Sequence, residues 1–403
     1  MTGKRKRKLA MPDTLIIVAS VVLLVAILSW IIPSGTYDYQ EMNINGRIRN
    51  VAIDGTYHTI DKSEVTTTGF LGFFSVLYRG CVEAADVIFM ILCCCGTFGV
   101  VVKTGAFHAG IGTILKKLKG KEILLVPIIM MIFGLGGSVF GMASEFYGFY
   151  PLIVGLGVAL GYDAMFGFAI IAVGEFVGFM GATLNPYSVG IAQTISGVEL
   201  YSGTGYRAIC FVIFMAISII YVMVYGRKIK KNPGASVVFG EKNIHAFDRD
   251  ELNEYSFTLK DGLVLLDVLV VLVVLMLGLI KWGWDFPQLC GFFLLMSMIA
   301  AAICKWSPNK WCSEFIDSAK TAMWGCILTG IAKAITVVMQ DAQIMDTVIY
   351  GLSNVLKNAP HAVSAQVMLV VQTLINFFIP SATGQASATM PIMAQHLERI
   401  SSR

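Results

Sequence analysis

A carboxyl group lies close to a run of glycines in an otherwise apolar stretch of this 403-residue sequence. Glu145 and the neighbouring Ser144 follow the flexible run at residues 134–141 and precede Pro151, which is suited to begin a new helix. A carboxyl in such surroundings must be paired, protonated or facing water, so Ser144 and Glu145 are candidates for binding a solute. The alternative is a carboxyl that hydrogen-bonds a neighbouring helix end. The glycines predict a hairpin that enters the membrane and returns.

A second polar cluster breaks the next apolar stretch. Thr183 and Asn185 precede Pro186, which lacks an N–H group and disfavours helix at the residue before it. Freed carbonyls and the side-chain oxygens of Thr183 and Asn185 are the hard ligands that Na⁺ or a polar substrate would use. The alternative is a simple proline kink. Glu175, in the same stretch, is a candidate for cation or proton coupling, or else a structural partner of another group.

The densest group of small and hydroxyl-bearing residues lies between Pro380 and Pro391. Such a run makes a poor spanning helix and is suited to the tip of a second hairpin, although small residues could instead let helices approach closely. Pro391 lies 240 residues after Pro151, so this cluster aligns with the one that holds Glu145. The alignment favours a substrate-binding role, for which the candidates are Ser381, Thr383, Gly384, Gln385 and Ser387.

Sequence motifs of several reaction classes are absent. HExxH, GxxxxGKS/T and GxSxG do not occur, and the five histidines are scattered. We therefore predict no catalytic residues, no metal site, no cofactor and no self-contained ATP hydrolysis. The function class that remains is gradient-driven transport of a solute, coupled to Na⁺, H⁺ or a counter-substrate.

The composition indicates that these clusters lie within a lipid bilayer. The chain is 56% hydrophobic and 14% charged, with a mean hydropathy of +0.73, which is too apolar for a soluble domain of this size. A helix needs about 20 apolar residues to cross the bilayer, and only helices and closed barrels satisfy their backbone there. We predict an all-α polytopic membrane protein with spans near residues 14–32, 84–102, 123–135, 165–179, 208–224, 263–280, 286–303, 322–339 and 363–379.

Basic residues cluster beside the apolar stretches. The net charge of +4 is concentrated at residues 4–8, 116–121 and 227–231, which the positive-inside rule places in the cytoplasm together with the N-terminus. Each cluster adjoins a span, so topology explains it and no nucleic-acid partner is predicted. Residues 14–32 are longer than the apolar part of a signal peptide and precede no small-residue cleavage site, so we interpret them as a retained helix.

The chain divides into two halves with the same order of parts. We predict a basic tail and first helix at 1–33, an external loop region at 34–80, a first repeat at 81–227, a cytoplasmic linker at 228–260 and a second repeat at 261–403. Each repeat has a span, an amphipathic segment (107–118 or 344–356), another span and a polar cluster. Residues 103–122 hold five lysines against one acid, and 340–361 hold two aspartates against one lysine. This opposite charge predicts inverted repeats.

Several motifs in combination resemble the YfcC branch of the DcuC-like carriers. The resemblance covers nearly the whole chain. It implies a member of the ion-transporter superfamily with a scaffold domain, a transport domain, two re-entrant hairpins, elevator-type alternating access and a homodimer. Relatives carry C4-dicarboxylates or exchange basic amino acids of the arginine/ornithine type. The motifs are AMPDTL at 10–15, FGVVVKTG at 98–105, GGSVFGM at 136–142, Asn185 and Pro186 followed by Ala192 and Gln193, and KKNP at 230–233.

We therefore expect a secondary active transporter of small carboxylate metabolites or amino acids in the cytoplasmic (inner) membrane of a bacterium. Helix N-termini would bind the carboxylate, and carbonyls would bind the cation. One alternative is a basic amino-acid exchanger in which Glu145 or Glu175 recognises the cationic group. Another is a truncated membrane protein that binds a solute without moving it. The second repeat has no counterpart of the break at 183–188, and residues 395–403 are polar where the family continues apolar.

Overall fold

A computed structural model describes residues 12–44, 47–118, 122–240, 257–357, 363–379 and 381–401. Within these ranges, seven helices are long and apolar enough to cross a membrane. The prediction of an all-α polytopic membrane protein is confirmed. The seven are Thr14–Ile31, Ala85–Lys103, Ala164–Ile195, Thr204–Lys231, Leu259–Leu279, Phe286–Ile303 and Met323–Asp341.

The α-helices fall into two groups along the chain. In the first half they are α1 Thr14–Ile31, α2 Phe70–Glu83, α3 Ala85–Lys103, α4 Ala106–Leu118, α5 Leu125–Leu135, α6 Tyr150–Ala159, α7 Ala164–Gly181, α8 Ile191–Ile195 and α9 Thr204–Lys231. In the second half they are α10 Leu259–Lys281, α11 Phe286–Ile303, α12 Pro308–Lys320, α13 Met323–Asp341, α14 Met345–Lys357, α15 Ser364–Phe378 and α16 Ala382–Ser401.

Side-chain caps fix where several of these helices begin. Asp163 Oδ1 accepts a hydrogen bond from the Phe166 N–H, 2.7 Å away, at the start of α7. Thr258 and Asp261 form a reciprocal capping box at the start of α10. These oxygens satisfy N–H groups that the first turn of a helix leaves without a partner.

Four short strands form two small antiparallel sheets between α1 and α2. β1 Ser34–Thr36 pairs with β4 His58–Ile60, and β2 Tyr39–Ile44 pairs with β3 Arg47–Ala52. We call residues 34–60 the β segment. It packs mainly against α14 and α16, which belong to the other half of the chain.

The helices pack into a core that joins both halves. α1 and α2 pack against α13, and α3 lies against α11 and α12. α5, α7 and α9 form a second packed group in the first half. Where α5 crosses α7, a Cβ on Gly178 would lie only 2.0 Å from the carbonyl oxygen of Gly134, so the two backbones are in direct contact.

The polar run at residues 380–391 was predicted to form the tip of the second hairpin, but most of it is helical. The chain turns at Ile379 and Ser381, and α16 then runs from Ala382 through Pro391 to Ser401. Pro380 lies outside the described residues. Alanine favours helix, and one proline removes a single backbone donor, so the run continues as a helix instead of forming a loop.

Candidate functional site

The break after α7 is built around one asparagine. α7 ends at Gly181, and Ala182 adopts a left-handed conformation with φ of 41°. Asn185 Oδ1 then accepts hydrogen bonds from the N–H groups of Tyr187 (2.9 Å) and Ser188 (3.2 Å), and its Nδ2 donates to the Gly137 carbonyl (3.3 Å). Asn185 is completely buried. Its side chain therefore begins the short helical turn Pro186–Gly190 and ties the break to the segment after α5.

Ser138 and Thr183 form a second link between these two segments. Their hydroxyl oxygens are 3.0 Å apart, and the Thr183 N–H donates to Ser138 Oγ at 3.1 Å. The Leu184 N–H also donates to the Ser138 carbonyl at 3.1 Å. The glycine-rich run that sequence reasoning assigned to the first hairpin thus packs directly on the break that holds Thr183 and Asn185.

Arg207 of α9 occupies the carbonyls that end α7. Its Nε donates to the Ala182 carbonyl and its Nη2 to the Thr183 carbonyl, both at 3.1 Å. A guanidinium satisfies the same oxygens that a cation would otherwise use, and its charge repels a second cation. Sequence reasoning missed Arg207, although an arginine near the start of an apolar span is a recognisable signal. The arrangement disfavours a cation at these two carbonyls.

Glu145 hydrogen-bonds within its own hairpin. Its Oε2 accepts from the Ala143 N–H at 2.9 Å, at the start of the helical turn Ser144–Phe149. This turn packs against α3, where Gly148 lies close to Phe98. The structure describes the backbone of Ser144, and its side chain lies outside the described part.

Glu175 is a buried carboxyl with one oxygen unused. It is completely buried in α7, and its Oε2 accepts a hydrogen bond from the Tyr150 hydroxyl at 3.0 Å. Among the residues that the structure describes, no donor reaches Oε1. A buried carboxylate oxygen without a partner is costly, so this group favours either a proton or a bound cation.

The second hairpin is held together by Gln385. Its Nε2 donates to the Gln372 carbonyl at 2.8 Å, and its Oε1 accepts from Asn376 Nδ2 at 2.9 Å. Both partners lie on α15, so Gln385 joins the two arms of this hairpin. At the turn, Ser381 Oγ accepts from the Gly384 N–H at 3.2 Å.

A hydrogen bond joins the polar clusters of the two halves. Thr383 Oγ1 donates to the Tyr187 carbonyl at 3.0 Å, and α16 packs against α8 and the turn Pro186–Gly190. The break of the first half therefore lies between the first hairpin and the second.

A cavity of about 380 Å³ opens beside the second hairpin. It lies between α13, the start of α16 and the β segment. Three predicted residues line it, namely Ser381, Gly384 and Ser387, together with residues that sequence reasoning did not select: Tyr39, Arg49, Asn50, Lys333, Thr336 and Gln340. Lys333 could have been found from its position, because it is charged and lies in the middle of a predicted span.

The predicted site residues thus fall into separate places. Ser381, Gly384 and Ser387 line the cavity, while Thr383 contacts the break that holds Thr183 and Asn185. Gln385 links two helices, and Glu145 lies in a turn that packs on α3. Neither Glu145 nor Glu175 lines the cavity.

A family model described as "C4-dicarboxylate anaerobic carrier" (DcuC) matches residues 11–397. The chain belongs to the DcuC family. It is 31% identical over 427 residues to YfcC of Escherichia coli (strain K12), provisionally named a basic amino acid antiporter, with 97% of this chain and 84% of YfcC covered. It is 28% identical over 434 residues to an uncharacterized protein of Haemophilus influenzae, with 97% and 85% covered. The resemblance seen in the sequence is confirmed, and this DcuC family member is a membrane transporter and not an enzyme.

Two solved transporter structures align with this DcuC family member over most of its length. The YdaH transporter of Alcanivorax borkumensis aligns with a TM-score of 0.43 and 13% identity, covering 96% of this chain and 84% of that one. MtrF of Neisseria gonorrhoeae, described among antimetabolite efflux pumps, aligns with a TM-score of 0.44 and 16% identity, covering 96% and 81%.

Proposed function

We propose that this transporter is a secondary carrier of small carboxylate metabolites or amino acids. The observation that supports the proposal most directly is the contact between Thr383 and the Tyr187 carbonyl, which brings the polar cluster of one half onto the broken helix of the other. Irregular backbone at membrane depth is tolerated where it is buried in protein or lines a cavity, and carriers bind their substrates at such places.

Charge and family membership support the remaining features that we propose for the carrier. We propose that it lies in the bacterial cytoplasmic membrane with its N-terminus in the cytoplasm. The lysines at the end of α9 support this orientation.

We also propose that the polar clusters move against α1, α2 and α13 in an elevator-type transport cycle, and that the protein is a homodimer. The family membership supports both.

Glu175 is the residue we propose for coupling. Its buried, unsatisfied oxygen would take a proton or a cation, whereas Thr183 and Asn185 use their side-chain oxygens in hydrogen bonds. The structure thus favours Glu175 over these two candidates.

A second candidate function is exchange of basic amino acids. The name of YfcC suggests it, and the buried carboxyl of Glu175 would suit a cationic group. A third candidate, solute binding without transport, predicts saturable binding and no flux.

The test is uptake and exchange of labelled succinate, arginine and ornithine in proteoliposomes. We expect the unaltered chain to carry one of them. We expect Glu175→Gln to abolish accumulation driven by an ion gradient but to keep exchange, because an amide cannot change its charge. Glu64→Gln, at an exposed acid, is the matched control.

Each alternative outcome has a distinct meaning. Flux of ornithine against arginine with none of succinate would select the exchanger. Saturable binding of a substrate without flux would select the binding protein. Unchanged accumulation in Glu175→Gln would contradict the coupling role while leaving the carrier intact.

A further inference from the structure

We infer that the cavity beside the second hairpin is an anion-binding site in which Lys333 holds a carboxylate of the substrate and Arg49 of the β segment supplies a second positive charge. The inference rests on the proposed function and identifies which part of the protein recognises the carboxylate. It also assigns a role to the β segment, which lies outside both repeats.

Lys333 is a lysine in the middle of a membrane span. It is the eleventh residue of α13, Met323–Asp341, and its side chain is half-buried on the face that lines the cavity with Thr336 and Gln340. Over the described ranges of the chain, its ammonium has no ion pair or hydrogen bond. A charged group at membrane depth faces a partner or a water-filled space. Lys333 faces the cavity and has no partner among the described residues, so its ammonium is available to an anion that enters.

The charge of the cavity lining has one sign. Arg49 and Lys333 line it from different elements, and none of the described residues that line it is acidic. Two acids that adjoin the lining, Asp341 and Asp346, are already engaged. Asp346 accepts hydrogen bonds from the β segment, and Asp341 forms an ion pair with Arg79. An anion entering the cavity therefore meets the ammonium of Lys333, and no described acidic side chain of the lining competes for it.

The uncharged lining suits a carboxylate as well. Ser381, which precedes α16, and Ser387 of α16 bring hydroxyl groups to one side of the lining, and Thr336 of α13 brings one to another. Hydroxyl donors and an ammonium are the groups that bind carboxylate oxygens. The volume of about 380 Å³ suits a small metabolite.

The same charges discriminate between substrates. A guanidinium or a second ammonium would be repelled by Lys333 and Arg49, so a basic amino acid would enter with its carboxylate toward the cavity. The carboxylate is thus required for binding here, and the amino group is dispensable. Succinate and its diamide, succinamide, differ in charge at nearly equal size and are the probes for this difference.

The experiment measures equilibrium binding and transport by the full chain. Labelled succinate and arginine are titrated onto the purified protein and competed with succinamide, and initial uptake rates are measured in proteoliposomes. We expect Lys333→Gln to weaken binding at least tenfold, mainly as a rise in KM, and to remove the preference for succinate over succinamide. Lys333→Arg should keep the preference. Lys320→Gln, an exposed lysine paired with Asp317, is the matched control.

The outcomes separate this inference from the proposed function. If Lys333→Gln and Arg49→Gln both transport succinate as fast as the unaltered protein, the inference is overturned and the carrier function is left in place. Binding that depends on Lys333 without any flux would support the inference and overturn the carrier. Absence of both binding and flux would overturn both. A purely structural role of Lys333 would lower the thermal stability and the maximal rate without changing the preference for succinate, and that result would also overturn the inference.

Discussion

At the scale of single residues, the crossing of α5 and α7 depends on glycine. A Cβ added at Gly178 would lie 2.0 Å from the Gly134 carbonyl oxygen, a backbone atom that cannot rotate away. We expect Gly178→Ala to force the helices apart and to lower the free energy of unfolding by about 1–3 kcal/mol. Thermal unfolding of the detergent-solubilised protein measures the change.

Gly325→Ala is the control for that substitution. Gly325 also lies in a spanning helix, α13, and an added Cβ would meet no described atom within 4 Å. We expect its stability to be equal or slightly higher, because alanine favours helix by about 1 kcal/mol over glycine. An equal loss of stability in both variants would show that the Gly134 contact does not set the spacing.

The sequence predicted some residues of the site and not others, for a physical reason. Ser381, Gly384 and Ser387 belong to a polar run that stands out within an apolar chain. Lys333 and Arg207 are single charges in apolar surroundings. Neither belongs to a cluster of polar residues, and such clusters were the signal from which the site was predicted. Arg49 lies on a β strand far away in sequence, and only the folded chain brings it to the cavity.

At the scale of elements, one aspartate attaches the β segment to α14. Asp346, which is 8% exposed, accepts hydrogen bonds from the Tyr37 N–H at 3.1 Å, Thr36 Oγ1 at 3.2 Å and the Tyr39 hydroxyl at 2.8 Å. Tyr57 adds a hydrogen bond to Thr347 at 2.9 Å. The β segment is thus fixed to α14 by a carboxylate that receives three donors.

We expect Asp346→Asn to loosen this attachment. The amide replaces one acceptor oxygen with a donor that faces other donors, which costs about 2 kcal/mol. Hydrogen exchange of the backbone amides in residues 34–60 should become faster, while that of α5 and α7 stays unchanged. Asp38→Asn, at an exposed position of the same segment, is the control. Equal protection in the two variants would contradict the role of Asp346.

The attachment should also be insensitive to pH up to strongly alkaline conditions. Burial and the nearby Asp346 carboxylate raise the pKa of the Tyr39 hydroxyl above its ordinary range. A raised pKa in the folded state means that the contribution of Tyr39 is fully present below its ordinary pKa of about 10 and is lost only at higher pH. Protection of residues 34–60, corrected for intrinsic exchange rates, should therefore be constant from about pH 6 to 9, because this whole range lies below the ordinary tyrosine pKa of about 10.

The order of elements was more predictable than their turns. The amphipathic stretches predicted at 107–118 and 344–356 correspond to α4 Ala106–Leu118 and α14 Met345–Lys357, because hydrophobic periodicity reports helices directly. The turn of the second hairpin lies earlier than predicted, because proline and small residues mark a break only weakly when alanines continue the helix.

At the scale of the whole molecule, the two halves of the chain are mutually dependent. α1 and α2 pack on α13, and α3 packs on α11 and α12, so much of the core lies between the halves. Hydropathy identified these spans, but it contains no information about which helix packs on which.

This packing predicts that the halves associate without a covalent connection. We expect separately expressed residues 1–240 and 241–403 to co-purify through a tag on either one, because each half leaves a large apolar face uncovered without the other. A chain divided inside α9, after residue 215, should not assemble as well, since it interrupts a spanning helix. Recovery of each half alone from the first pair would contradict the interdependence.

The contact between Ser34 and the Ala342 carbonyl, 308 residues apart, sets an order of events during synthesis. A ribosome adds roughly 5–20 residues per second, so the partner of Ser34 is made about 15–60 s after Ser34 itself. During that interval α1 has been inserted with Val22, which is fully buried in the finished protein, still facing lipid or an insertion factor. α1 is therefore made long before it reaches its final neighbours.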